Sequence, residues 1–346
     1  IQAAIQHQDY ISKGFLGSPM TYVDYSGEFL ISSSSNFSLC FYNEGASYYV
    51  SIIHKPSMNV VWIANRDKPI SSSDNLSFAS NGKLVLINST TKEVIWCTDT
   101  LGDGGTKVQM QDNGNLVLMN NEKKTLWQSF DHPTDTLLLG QTLRNSTKLV
   151  SKVSSNDFSS GPYSLSLVSN RDLCLMYSSG SDSDMDLSFS YWSMSKDANI
   201  VTCFNGSPSY VELNSAGLSL MSENGTVISV YRMACTSLCM VTLDPSGNLI
   251  FKVFSSNLWT AVYQAPASSC DLPLYCGPLG LCSGGQCSCP GSLQEVNKED
   301  ITQGCKAPSV GQCLSHNSSV LPQFQQISAN VDYFENKYVS PVNTSG

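Results

Sequence analysis

The chain has 346 residues, enough to bury cores in two or three domains. Its formal charge of −9 and pI near 4.8 argue against any partner held through a row of phosphates, nucleic acid above all. Only 14% of the residues are charged, so Ser and Asn must supply most of the polar surface.

Residues 1 to 9 read as a polar tail with no signal-peptide h-region, as in a mature secreted protein. From Ser12 to Tyr49 the chain reads as short strands, the clearest being Asn36 to Tyr42, where apolar and polar residues alternate. Tyr48 to His54 and Asn59 to Ala64 follow as a hairpin that carries Trp62. A repeat then sets in. Asn81-Gly82-Lys83-Leu84-Val85-Leu86 leads to Trp96, and Gln111-Asp112-Asn113-Gly114-Asn115-Leu116-Val117-Leu118-Met119 leads to Trp127. Later copies run from Gly217 to Tyr231 and from Gly247 to Trp259, and glycine-to-aromatic spacings are 14, 13, 14 and 12 residues in chain order. Trp62, Trp96 and Trp127 lie 34 and 31 residues apart, a period typical of units too small to bury an apolar face alone. Three such units closing around an axis make a threefold β-prism. No helical period competes with that reading.

The runs Val60-Val61-Trp62-Ile63-Ala64-Asn65-Arg66-Asp67-Lys68-Pro69 and Leu126-Trp127-Gln128-Ser129-Phe130-Asp131-His132-Pro133-Thr134-Asp135, with the Asn-Gly-x-Leu-Val-Leu hairpins, resemble the bulb-type (G-type) lectin domain of plant S-domain receptor-like kinases and S-locus glycoproteins. The resemblance implies an all-β chain of two tandem threefold β-prism domains, at 10–148 and 149–266. It further implies an EGF-like module at 267–306, and at 307–346 a linker or the start of a truncated PAN domain. The Ser- and Asn-rich passage Asn145 to Asn156 reads as the linker between the prisms, and Trp192, Tyr231 and Trp259 take the places of the three tryptophans in the second. Ser178 to Asp186 reads as a solvated hairpin tip, since it lacks the glycine and terminal glutamate of a calcium loop.

Thirteen cysteines and eight Asn-x-Ser/Thr sequons, at Asn36, Asn75, Asn88, Asn145, Asn205, Asn224, Asn317 and Asn343, point to the secretory pathway, where glycans are attached and disulfides persist. About forty residues from Cys270 cannot build a core alone, so disulfides must hold them, and six cysteines allow fifteen connectivities. Likeness to an EGF-like module implies Cys270–Cys282, Cys276–Cys287 and Cys289–Cys305. Cys40 and Cys97 both lie near the repeated tryptophans of the first prism and are expected to pair. Cys174, Cys203, Cys235 and Cys239 allow three pairings, of which Cys174–Cys203 with Cys235–Cys239 is the local solution; Cys313 is left over.

No constellation of nucleophile, base and electrostatic stabiliser is visible, no cofactor motif occurs, and no run of eighteen apolar residues could span a membrane. The four histidines fall in separate contexts, with His132 beside Asp131 and Asp135 the one suggestive case. Bulb-type lectins bind mannose through Gln-x-Asp-x-Asn-x-Val-x-Tyr. The hairpin at 111 keeps Gln111, Asn115 and Val117 but has Asn113 for the Asp and Met119 for the Tyr. An amide offers one accepting atom where a carboxylate offers two, so sugar binding here is the minor expectation and a folding role the major one. The resemblance implies a non-enzymatic extracellular recognition region at the plasma membrane, with a transmembrane helix and Ser/Thr kinase beyond Gly346. Its ligand would be a secreted peptide, a microbial or lipid-like molecule, or a glycan, and its signal would pass through a homodimer or a hetero-oligomer of related receptors. A secreted glycoprotein without a kinase shares every one of these features.

Overall fold

A computed structural model describes residues 9–306, apart from 101–103, 169–171, 179–187, 234, 236 and 292. The chain is all-β. Three four-stranded antiparallel sheets form the first prism. The first sheet comprises Glu28–Ile31, Phe37–Glu44, Ser47–His54 and Asn59–Ile63; the second, Leu16–Gly17, Asn75–Phe78, Leu84–Ile87 and Val94–Cys97; the third, Ile11–Ser12, Lys107–Met110, Leu116–Met119 and Thr125–Gln128. Each sheet sends one aromatic to the axis. Trp62, Trp96 and Trp127 meet there edge to face, with ring centroids 5.7–6.0 Å apart, which is the geometry aromatic quadrupoles favour.

The second prism repeats this plan, including the way a prism begins. In the first, Ile11–Ser12, Leu16–Gly17 and Glu28–Ile31 join the third, second and first sheets in turn. In the second, Thr136–Leu138, Thr142–Arg144 and Leu149–Lys152 do the same. The sequence boundary at 148/149 is therefore corrected: the chain enters the second prism by Thr136, and the supposed linker 145–156 contains one of its strands. Short opening strands carry too little periodicity to be seen in sequence, and the first two of each prism pair with strands about 60 to 110 residues away.

The axis of the second prism is also corrected. Leu175 opposite Trp192 and Phe251 opposite Tyr263 stand just before a register shift, as Ile52–Trp62, Leu86–Trp96 and Leu118–Trp127 do in the first prism; in the second sheet that place is held by Leu220 opposite Ser229, and Tyr231 stands two residues beyond it, opposite Leu218. Tyr263, not Trp259, is the third axial aromatic. Leu249–Ser255 and Leu258–Ala265 extend past the prism body, and Trp259 sits near their turn, opposite Phe254.

That extension joins the prisms. Trp259 packs against His54 with centroids 5.2 Å apart and donates its Nε1–H to Ser57 Oγ at 2.8 Å, while Leu138 and Met240 of the second prism belong to the buried core of the first. Gly114 turns here with φ of +87°, and a Cβ on it would lie 2.6 Å from Leu138, so both the turn and the packing need glycine.

Disulfides join Cys235 to Cys239, Cys270 to Cys282, Cys276 to Cys287 and Cys289 to Cys305, the last three holding two small two-stranded sheets after the second prism. Tyr163 anchors this module by donating its hydroxyl to the Pro273 carbonyl. The expected Cys40–Cys97 and Cys174–Cys203 bridges are absent. Successive strand residues face opposite sides. Cys40 stands between core residues Leu39 and Phe41, Cys97 follows axial Trp96, and Cys174 stands between core residues Leu173 and Leu175. Each thiol is thus on the face of its own sheet away from the axial core, Cys40 and Cys174 being buried there, and exposed Cys203 follows Ile200–Thr202, a strand of a different sheet from that of Cys174. Cys313, Asn317, Asn343 and the 307–346 segment lie outside the described residues, as does most of Ser178 to Asp186.

Candidate functional site

The turn at Gln111 to Asn115 is built from its own polar groups. Gly114 N–H donates to Gln111 O and Gln111 N–H to Asn115 O, while Asn113 Oδ1 accepts from Asn115 N–H at 3.1 Å. Gln111, Asp112 and Asn113 are exposed, and Asp112 accepts from Ser34 N–H. Asn115 is different. It is buried, its Nδ2 donates to Gln128 Oε1 at 2.9 Å, and its Oδ1 accepts from both Ser129 Oγ and Phe130 N–H at 3.2 Å. Ser129 Oγ in turn accepts from Leu116 N–H. Val117 is buried as well. Thus Asn115 clamps the strand to the Gln128–Phe130 turn and Val117 is buried, so that of the four candidate sugar contacts only Gln111 and Asn113 present side chains to solvent.

His132 does not assemble an acid–base site. Its ring stacks on Trp127 at 12° between planes, and its carbonyl accepts from Trp62 Nε1–H at 2.7 Å, closing the lower end of the axis. Asp135 is buried against Lys152, at 3.5 Å, and against the Thr134 and Thr136 hydroxyls. Among the described residues no group of three or more His, Cys, Asp or Glu could hold a metal ion, and no helix is long and apolar enough to cross a membrane.

The residues with most work to do between domains escaped the sequence reading. Arg66 reaches from the end of the first sheet into the second prism and donates to the carbonyls of Val150 at 2.8 Å, Ser151 at 2.7 Å and Phe158 at 2.9 Å, with a longer contact to Ser159. Its neighbour Asp67 accepts from Ser160 N–H and Oγ. Phe158 meanwhile fills a small apolar cluster with Tyr49 and Ile63. An Arg-Asp pair just after an apolar strand was the available signal. Within the second prism the corresponding residue is Asp197, at its axis. It accepts from Trp192 Nε1–H at 2.9 Å and from the hydroxyls of Tyr231 and Tyr263 at 3.4 Å. Burial pushes its carboxyl up, but these bonds and the Asn199 N–H outweigh it and hold the group below the usual carboxylate range. On the seam, burial holds the His54 imidazole down to about 4.

The D-mannose binding lectin family matches residues 59–157, and the S-locus glycoprotein domain family matches residues 192–295; neither is a catalytic domain. A G-type lectin S-receptor-like serine/threonine-protein kinase of Arabidopsis thaliana is 31% identical over 96% of this chain and 38% of its own length, and a second is 29% identical over 99% and 41%. The chain therefore spans about two fifths of the kinases it matches. The EP1-like glycoprotein 3 of Arabidopsis thaliana is 30% identical over 81% of this chain and 68% of its own length. Two prisms built from the same hairpin, a disulfide-held module after them and these relatives lead to one conclusion: the chain belongs to the plant G-type lectin S-domain family, of which it is a lectin-type region.

Proposed function

We propose that this chain is the extracellular ligand-recognition region of a G-type lectin S-receptor-like serine/threonine kinase, sensing a peptide or a small microbial or lipid-like ligand and signalling through dimerisation. The carrying observation is that nearly the whole chain aligns with kinases of which it covers only two fifths. Dimerisation would act through concentration: two receptors held together give their kinase domains a high effective concentration for each other. The hairpin at 111 supports a ligand other than mannose, because Asn115 spends both ends of its amide on Gln128, Ser129 and Phe130.

An antibody against the second prism tests the reading on plant extracts. A membrane-bound polypeptide more than twice the length of this chain is expected. A product of this chain's length found only in the extracellular wash would overturn it in favour of a secreted glycoprotein, the reading favoured by the EP1-like relative. A mannose-binding lectin using Gln111, Asn113 and Asn115 predicts a mannose signal on a glycan array that Gln111→Ala abolishes; we expect none.

A further inference from the structure

The second sheet of the second prism carries a groove whose walls hold two sequons. Segment 203–209 begins where Cys203 and Phe204 N–H both donate to Ile228 O, at 2.8 and 3.1 Å, and rejoins the sheet where Ser209 N–H donates to Met221 O at 2.7 Å. It therefore straddles the end of the hairpin Gly217–Met221 and Val227–Arg232, whose tip is Ser222 to Thr226. Between them lies an open groove of about 580 Å³. Buried Ile228 forms its floor, and the backbone at Gly206 lies close enough that a Cβ would touch Ile228 at 3.4 Å. Phe204 lines the groove while 61% exposed, a large apolar surface left to water.

We propose that this groove is the seat of the protein's own N-linked glycan, attached at Asn224 and packed against Phe204. Asn224 is exposed at the hairpin tip, and its Oδ1 accepts from Ser222 Oγ and Thr226 N–H. Holding the oxygen to the turn directs Nδ2, the atom that takes the sugar, away from it. In the transfer Nδ2 loses a proton and bonds C1 of the oligosaccharide, displacing the lipid pyrophosphate of a lipid-linked donor. The first N-acetylglucosamine then has a face of C–H bonds suited to an aromatic ring. Its hydroxyls and acetamide suit the polar rim of Asn205, Ser209 and Glu223. A groove of this size would suit a small free ligand too, but attachment gives the tethered sugar a millimolar effective concentration with which a dilute ligand must compete. The groove is thereby closed to outside ligands, which places recognition elsewhere on the chain.

The inference rests on the extracellular reading, and the experiment separates the two. Glycopeptide mass spectrometry on the protein secreted from plant cells should find Asn224 occupied. On the native protein, a peptide:N-glycan amidase should release the Asn224 glycan at least about threefold more slowly than that at Asn145, a coupling in the range usual for residues in contact. Phe204→Ala should remove the difference and Phe204→Tyr should keep it; an exposed ring can be exchanged without disturbing the core. Asn224 bare with glycans at other sequons, or a release rate that Phe204→Ala leaves unmoved, overturns the seat alone. A secreted chain bare at every sequon overturns the extracellular reading with it.

Discussion

The third sheets of the two prisms present the same turn and solve it differently. In the first, Asn115 Oδ1 is met by the Ser129 hydroxyl and the Phe130 N–H. By register, Val117 opposite Gln128 corresponds to Ile250 opposite Gln264, so the residues that should meet Asn248 are Ala265 and Pro266. Alanine has no hydroxyl and proline has no N–H. Asn248 is buried, and its Oδ1 finds no donor among the described residues. The axes differ in the same sense. Three tryptophans close the first through ring contacts and one carbonyl, whereas Trp192, Tyr231 and Tyr263 bring polar tips that require the Asp197 carboxylate. The fold tolerates either solution because the apolar faces, held in common, do most of the stabilising.

The strongest way to break this comparison is to separate the prisms. Arg66→Ala leaves buried carbonyls of the second prism without their charged donor and should cost about 3 kcal/mol or more of seam stability. Calorimetry should then show one unfolding transition split into two, the second prism melting first; an unsplit transition at the native temperature would mean that the apolar contacts suffice alone.

Next in size is the contrast between the two asparagines. Asn115→Ala strands Gln128 Oε1, the Ser129 hydroxyl and the Phe130 N–H and should cost about 2–3 kcal/mol in denaturant unfolding. Asn248→Ala should cost well under half of that. Ala265→Ser, which restores a donor to Asn248 and an acceptor like the one Ser129 offers Leu116, should stabilise by about 1 kcal/mol. Equal costs for the two asparagines would dissolve the distinction.

The remaining effect is in pH. Buried between Phe37, Phe254 and Trp259, His54 resists protonation until about pH 4, whereas in the unfolded chain it takes a proton near pH 6.5. The unfolded state thus binds more protons between these values, so stability falls as pH drops from about 6.5 towards 4. His54→Gln should flatten that part of the profile; an unchanged slope would place its cause in other groups.

Period-two alternation, the Asn-Gly turns and the recurring aromatics made the prism repeat legible, because each is a local constraint written within about thirty residues. The first axis was legible for the same reason. Trp259 was mistaken for an axial residue because it ends a strand at nearly the right spacing, while Tyr263, four residues on, carries no such mark. The candidate sugar motif was also visible, but a string of letters cannot say whether an amide faces solvent or a neighbouring turn. Asn115 looked like a ligand for lack of knowing where Ser129 and Phe130 would come to rest.

What the sequence determined by itself, then, was the repeat and its strands, since alternation and turn chemistry act between near neighbours. The prism boundary at Thr136, the outward thiols of Cys40 and Cys97, the Arg66 seam, and the groove that brings Phe204 and Asn224 together were decided only in the tertiary structure. Each depends on which sheet a strand joins and which face it buries, and partners far apart in the chain settle both.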